Sequence, residues 1–109
     1  HIITCTAYVS AHLTEKISIG SIADALQLNA SYLSGLFKKC ENMSLTEYIR
    51  GEKIRQAESF LMYSEYSYSE IAAYLGFSSQ SHLGRYFKKE VNMTMKQFRA
   101  AYGVKKTID

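Results

Sequence analysis

The pattern of apolar and polar positions along the chain is helical, and its clearest signal lies in the stretch 71–89. A first short helix is predicted from apolar residues at the i, i+1 and i+4 positions, which are Ile71, Ala72 and Leu75. Gly76 follows, where a helix ends most easily in a left-handed residue, and the hydroxyl groups of Ser78 and Ser79 can cap the next helix. The second helix is expected to bury Leu83, Tyr86 and Phe87. A helix, a tight turn and a second helix with a polar N-terminal half predict a helix-turn-helix.

The stretch 22–39 repeats this arrangement, and both copies end in a pair of lysines. Ile22 corresponds to Ile71 at an offset of 49 residues, whereas Leu33 corresponds to Leu83 at an offset of 50. The turn of the second copy therefore holds one extra residue. Two units are too few for a solenoid, so the repeat predicts a tandem pair of helix-turn-helix units.

Further helices are predicted around the two copies. An amphipathic pattern indicates a first helix over residues 2–13, and Ser18 and Asn29 are placed to cap the next two helices. Three further helices are predicted to begin with capping boxes. Ser44 and Glu47 begin a long helix from residue 44 to about 62, and Ser67 and Glu70 begin a helix near Tyr68. Thr94 and Gln97 begin a last helix that runs to about Tyr102. The middle of the long helix is polar and poorly placed for a core, since it reads Arg50, Gly51, Glu52 and Lys53.

The predicted fold is all-α, with about seven helices and no sheet. We expect a first helix-turn-helix subdomain over residues 1–43, a linker helix over 44–62 that connects the two units, and a second helix-turn-helix subdomain over 63–109. A chain of 109 residues buries only a modest core in each unit.

Composition narrows the class of protein. The formal charge of +3 and the pI of about 8.9 are compatible with a nucleic-acid partner but do not prove one. Cys5 and Cys40 have no metal-binding spacing, and we interpret both as reduced thiols in or near the core, which is typical of a cytoplasmic protein. The histidines lack metal spacing, so no metal and no cofactor are expected. No apolar run has the length of a membrane span, and the start does not resemble a signal peptide.

The two copies resemble a known family. The segments GFSSQSHLGRYFKK (76–89) and SIGSIADALQLNASYLSGLFKK (18–39) are similar to the two motifs of the DNA-binding domain of AraC-type transcriptional regulators, and the resemblance covers about residues 9–102. It implies two recognition helices in successive major-groove segments of double-stranded DNA, and a function in bacterial transcription. It also implies a contact with RNA polymerase and a separate effector-sensing or dimerising domain, so we expect a DNA-binding fragment of a longer cytoplasmic, nucleoid-associated regulator.

Some positions depart from the family pattern. Asn92, Thr94 and Met95 stand where relatives usually have Gly and then Thr-Pro. Lys53 stands where the linker helix usually has Arg, and Leu83 where the second recognition helix usually has an aromatic residue. These are packing or turn changes that leave the predicted fold intact.

The resemblance assigns candidate DNA contacts residue by residue. Arg85 is the best candidate base reader, because a guanidinium can bond guanine O6 and N7; the alternatives are a phosphate contact and a surface salt bridge. Gln80 can pair with adenine or with a phosphate, while Ser79, Ser81 and His82 are expected to contact the backbone or flanking bases. The first recognition helix offers mostly small residues, namely Ala30, Ser31, Ser34 and Gly35, followed by Lys38. The candidate phosphate contacts are Lys39, Arg50, Lys88 and Lys89; each lysine pair is equally suited to a solvated helix end.

Two other classes of protein stay open at this point. A helical protein-interaction module without DNA binding fits the small exposed residues of the first recognition helix. An enzyme, such as an alkyl-transfer repair protein, requires an activated cysteine. We expect no enzyme activity, because Cys40 lies on an apolar stripe and Cys5 has only histidines nearby in sequence.

Overall fold

A computed structural model describes residues 1–104 as seven α-helices joined by short turns, with no strand in that range. The helices are α1 (Ile2–Ala11), α2 (Ile19–Leu26), α3 (Ala30–Glu41), α4 (Leu45–Tyr63), α5 (Tyr68–Tyr74), α6 (Gln80–Val91) and α7 (Met95–Tyr102). The all-α prediction is confirmed. The chain forms two compact units, residues 1–52 and a second unit that begins at Lys53, so the boundary lies within α4.

The first unit is built around α2 and α3. Its buried core draws on α1, α2, α3 and the start of α4, through Cys5, Val9, Ile22, Ala23, Leu33, Phe37, Leu45 and Ile49. The side chains of Leu33 and Phe37 on α3 have no exposed surface. Since residues four apart on a helix share a face, this pair fixes which side of α3 points inward.

The second unit repeats the arrangement with α5 and α6. Its core draws on the end of α4, α5, α6 and α7, through Ile54, Ala57, Leu61, Ile71, Ala72, Leu75, Leu83, Phe87, Met95 and Phe98. Leu83 and Phe87 are fully buried at the positions that correspond to Leu33 and Phe37. The end of α4 therefore belongs to this core.

Local hydrogen bonds define the helix ends. Ser44–Glu47, Ser67–Glu70 and Thr94–Gln97 form the predicted capping boxes. Ser18 forms another with Ser21, and Asn29 and Ser79 cap α3 and α6. In the second turn Gly76 is left-handed, with φ of 80°; the first turn places Gln27 there, with φ of 57°. A left-handed glutamine costs more than a left-handed glycine, so the first turn is the more strained of the two.

Two predictions of burial, those for Cys40 and Lys53, are wrong. Cys40 is exposed, because the side chains of residues 38–41 are all exposed and the last turn of α3 therefore extends beyond the core. On α1 the buried positions are Cys5 and Val9, which leaves Ile3 and Ala7 exposed. Lys53 is buried, although we expected a side chain outside any core. Tyr86, predicted to be buried, is half-buried.

The two cysteines differ in accessibility, and this difference can be measured. Burial raises the pKa of the Cys5 thiol, which keeps it protonated, whereas Cys40 is exposed. In the native protein we expect N-ethylmaleimide to modify Cys40 and to spare Cys5 until the chain is unfolded. Mass spectrometry of labelled fragments locates the adduct, and Cys40→Ser should remove the fast reaction. Equal labelling of both thiols in native buffer would contradict the burial of α1.

Candidate nucleic-acid interface

The buried pair on α6 leaves the opposite side of the helix in solvent. Gln80, Ser81 and Arg85 are exposed there, near the N-terminal end of the helix. Ser81 and Arg85 are four residues apart, and Lys88 and Lys89 continue the same side one turn later. The result is an exposed stripe that begins with hydroxyl and amide groups and ends with positive charges.

The start of α6 is held by its own turn. Ser79 Oγ accepts the backbone N–H of His82 at 3.0 Å. The half-buried His82 ring lies within hydrogen-bond distance of Ser78, with 3.0 Å between Nδ1 and Oγ. The same ring meets Phe77 edge-to-face, with the centroids 5.4 Å apart. His82 and the extra residue Ser78 thus stabilise the turn itself. Their contribution to any DNA contact stays a prediction.

Gln80 is oriented by the helix before the turn. Ser69 on α5 donates its hydroxyl proton to Gln80 Oε1 across 2.9 Å. The amide also carries an NH2 group with two donors. An amide whose oxygen already accepts a hydrogen bond presents mainly its donors, which suits a phosphate oxygen or adenine N7. This neighbour was not foreseen, because no sequence pattern links Ser69 to residue 80.

The corresponding side of α3 carries fewer hydrogen-bonding and charged side chains. Ala30, Ser31 and Gly35 are exposed, Ser34 is half-buried, and Lys38 and Lys39 are exposed in the last turn. A Cβ built on Gly35 meets no atom within 4 Å, so the surface around it is open. The spacing from the hydroxyls to the lysine pair is the same as on α6. The main difference is that Gly35 stands where the second unit has Arg85.

The remaining candidate, Arg50, lies on α4 and is half-buried. It differs in this from the four exposed lysines Lys38, Lys39, Lys88 and Lys89. An exposed lysine can reach a phosphate without losing a burial contact, whereas a half-buried arginine approaches it only with its outer atoms. Each lysine pair also lies in the last helical turn, where positive charge offsets the helix dipole, so both interpretations of these pairs remain compatible with their positions.

Lys53 supports the turn from inside the second unit. Its side chain is 7 % exposed, and Nζ donates a hydrogen bond to the backbone carbonyl of Leu75, the C-cap of α5. Nζ also lies 5.7 Å from the centre of the Phe77 ring. A cation at a helix C-terminus meets carbonyl groups that the helix leaves without partners. Lys53 thereby ties α4 to the turn that sets the direction of α6.

Arg99 has a similar role at the end of α4, which no sequence pattern predicted. Nε donates to the carbonyl of Leu61 at 3.2 Å, and a terminal nitrogen donates to the carbonyl of Ser64 at 3.2 Å. The guanidinium also lies over the Tyr68 ring, 5.4 Å from its centre. These bonds connect α7 to the last turn of α4. The contact between residues 61 and 99 could not be predicted from local patterns, because the two residues are far apart in the sequence.

Other kinds of site find no support in residues 1–104. No group of three histidine, cysteine or acidic side chains is arranged to hold a metal ion in that range. None of the helices in it combines the length and the apolar character that a membrane span requires.

Comparison with known proteins identifies the class. Residues 22–101 match the helix-turn-helix domain family. The chain is 35 % identical over 85 residues to the probable transcription factor PqrA of Proteus vulgaris, which covers 78 % of this chain and 70 % of that protein. It is 32 % identical over 98 residues to the xylose operon regulatory protein of Haemophilus influenzae, with 90 % of this chain and 25 % of that protein covered. The DNA-binding domain of AdpA, solved in complex with a target DNA, has the same fold at a TM-score of 0.87 and 23 % identity, over 93 % of this chain and 91 % of that one.

Both recognition helices fall within the matched region. The chain belongs to the helix-turn-helix family of AraC-type DNA-binding domains, which regulate transcription. It spans 25 to 44 % of the length of the first curated relatives that it matches.

The role of Lys53 can be tested by exchange. Lys53→Met keeps the apolar stem but removes the donor to the Leu75 carbonyl, so we expect a loss of about 1–3 kcal/mol in the free energy of unfolding. Lys53→Arg retains a donor and should lose less. Urea denaturation followed by circular dichroism measures both. If Lys53→Met were as stable as the parent chain, the bond to α5 would have no part in holding the turn.

Proposed function

We propose that this chain binds double-stranded DNA sequence-specifically through two recognition helices, α3 and α6, each placed in the major groove. The observation that carries the proposal is the exposed stripe on α6, in which Gln80, Ser81 and Arg85 precede the lysine pair. Polar donors near the helix N-terminus suit base edges, and the lysines suit phosphates. The equivalent stripe on α3 supports a second reader in the same chain.

The two readers divide the work unequally in this proposal. Arg85 can bond guanine O6 and N7 with two parallel hydrogen bonds, and Gln80 adds amide donors. On α3, Ala30, Ser31 and Gly35 give close approach, with contacts to a thymine methyl group or to the backbone. The first unit then contributes mainly positioning, and the second contributes more of the base readout. Ser34, Ser79 and His82 take backbone or flanking contacts, and Lys38, Lys39, Arg50, Lys88 and Lys89 contact phosphates.

One chain with two different readers should prefer an asymmetric site. A dimeric helix-turn-helix protein with one reader per chain needs a near-palindrome, because its two-fold symmetry is imposed on the DNA. Here the readers occur once each, in a fixed chain order, joined by α4 as a linker helix over about residues 44–62. A single copy is then sufficient to define the orientation of the site.

The wider setting follows from the size of the relatives. Because the chain spans only part of them, we propose that it works beside a further domain that senses an effector or dimerises, and that the bound regulator contacts RNA polymerase. Its place is the bacterial cytoplasm, on the nucleoid, where the DNA lies. We propose no catalytic step for this domain and no cofactor. Burial raises the pKa of the Cys5 thiol, the reverse of what a nucleophile requires.

The readout by Arg85 is tested by selection from a random duplex pool. For the parent chain we expect an asymmetric site with two enriched blocks. Arg85→Ala should abolish the preference in one block only and weaken binding to the selected site by about 1–3 kcal/mol. Lys96→Ala, which removes one positive charge from the exposed part of α7, is the matched control and should retain both blocks. Uniform weakening on all sequences would reduce Arg85 to a phosphate contact, and the absence of DNA binding in the parent chain would favour a protein-interaction module.

The close approach of α3 is tested by adding one methyl group. Gly35→Ala should raise the free energy of unfolding by about 0.5–1 kcal/mol, because alanine favours a helix and the site is open. If α3 lies against DNA, the same change should weaken binding. Gly51→Ala on α4 is equally open and serves as the control; it should raise stability and leave the affinity unchanged. A gain in stability together with a loss of DNA affinity at Gly35, but not at Gly51, would place α3 against the DNA. An unchanged affinity in Gly35→Ala would mean that α3 is not part of the interface.

A further inference from the structure

A cavity of about 300 Å³ lies in the second unit, outside the residues assigned to DNA contact. It is lined by Phe60 from the end of α4, Tyr66 from the connection to α5, and Glu70, Ile71 and Tyr74 from α5. This volume is at the lower end of small-molecule sites, which span roughly 300–1,000 Å³. All five residues belong to one compact unit, so the cavity is a property of that unit alone.

Three aromatic rings form most of the lining. The Phe60 ring meets Tyr66 at a centroid distance of 5.7 Å and an interplanar angle of 67°, and it meets Tyr74 at 5.2 Å and 83°. Tyr66 and Tyr74 are 52 % and 57 % exposed, whereas Ile71 is only 1 % exposed. The two tyrosines therefore form the solvent-exposed part of the lining, and Ile71 belongs to the buried core. Because the rings are steeply inclined to one another, their faces point in more than one direction.

One carboxylate completes the set. Glu70 Oε1 accepts the backbone N–H of Ser67 at 2.8 Å, and the Glu70 N–H is bonded to Ser67 Oγ at 3.1 Å. Hydrogen bonds from the Ser67 backbone and side chain lower the pKa of Glu70, which keeps it ionised at neutral pH. The capping box also limits the rotation of this side chain. The charge is thus held at a defined place in the lining.

We propose that this cavity binds a small organic cation of the quaternary ammonium class. The face of an aromatic ring attracts a cation through its quadrupole, and sets of such rings recognise quaternary ammonium groups. The methyl groups of such a cation suit an apolar lining, and Glu70 supplies the opposite charge. A neutral guest of equal size gains nothing from Glu70, and an anion is repelled by it. The proposal is independent of DNA binding.

The test is a titration of the 109-residue chain with choline chloride, followed through the aromatic proton resonances in NMR spectra. Saturable shifts at millimolar choline are expected for the rings of Phe60, Tyr66 and Tyr74. Sodium chloride at equal ionic strength is the control for salt. The decisive comparison is 3,3-dimethylbutan-1-ol, the neutral carbon analogue of choline, which should bind several-fold more weakly because it has the same shape without the charge.

Variants connect the shifts to the proposed groups. Glu70→Gln removes the charge and preserves the capping box, which accepts glutamine at this position. Tyr74→Leu removes a ring and keeps an apolar side chain. Each should weaken choline binding about three- to ten-fold. Tyr63→Leu is the matched control, since Tyr63 is 73 % exposed and is not among the lining residues; it should bind choline as the parent does.

Three results would overturn the proposal. The first is the absence of ring shifts at millimolar choline in a chain whose circular dichroism is native. The second is equal affinity for choline and its neutral analogue, which would make the cavity merely apolar. The third is an equal loss in Tyr63→Leu and Tyr74→Leu. DNA binding by the same sample is measured separately, so its failure would not imitate any of these results.

Discussion

The rotation of each recognition helix is the constraint on which the rest of this protein depends. Leu33 with Phe37, and Leu83 with Phe87, are pairs of fully buried residues four positions apart. A helix that buries both members of such a pair is fixed about its own axis, because the two side chains lie on one face. The opposite face is then forced into solvent. Large-to-small changes at such positions cost about 2–5 kcal/mol, so this orientation is expensive to disturb. The chemistry available to a nucleic acid is decided by whatever stands on the opposite face.

The turn before each recognition helix sets its direction, and the two units solve this differently. Both use a left-handed residue, Gln27 in the first and Gly76 in the second, followed by an apolar side chain that packs against the core of the unit, Leu28 or Phe77. The second turn has one more residue, Ser78, whose hydroxyl lies within hydrogen-bond distance of the His82 ring. Lys53 also donates a hydrogen bond to the Leu75 carbonyl at the start of this turn. Ser78 and Lys53 thus both help to define the longer turn. This is the turn that precedes Arg85, the stronger candidate base reader.

Local patterns predicted the helices, the caps and the exposed stripes, because each depends on residues within four positions of one another. Capping boxes such as Ser67–Glu70 and the buried pairs on α3 and α6 are of this kind. The misses involve long side chains that act across the fold. Lys53 reaches the Leu75 carbonyl 22 residues away, and Arg99 reaches Leu61 38 residues away. From periodicity alone, polar residues in the middle of a helix are predicted to be exposed to solvent. Only the three-dimensional structure shows that the C-terminal end of α5 lies next to Lys53 and accepts a hydrogen bond from it. The prediction that Cys40 is buried failed for a different reason. An apolar stripe on a helix does not indicate at which residue the core ends.

The repeat also separates what the scaffold requires from what it leaves free. Positions that pack are nearly the same in both copies, as Leu33 with Leu83 and Phe37 with Phe87 illustrate, and both copies keep the lysine pair. The exposed positions between them differ in chemistry, with Ala30 against Gln80 and Gly35 against Arg85. An exposed site on a rigid helix tolerates exchange at little cost in stability, usually within about 0.5 kcal/mol. Two copies of one scaffold can therefore acquire different readers independently. The asymmetry expected in the DNA site is then a consequence of this freedom, since the cores that hold the two helices are built on the same pattern.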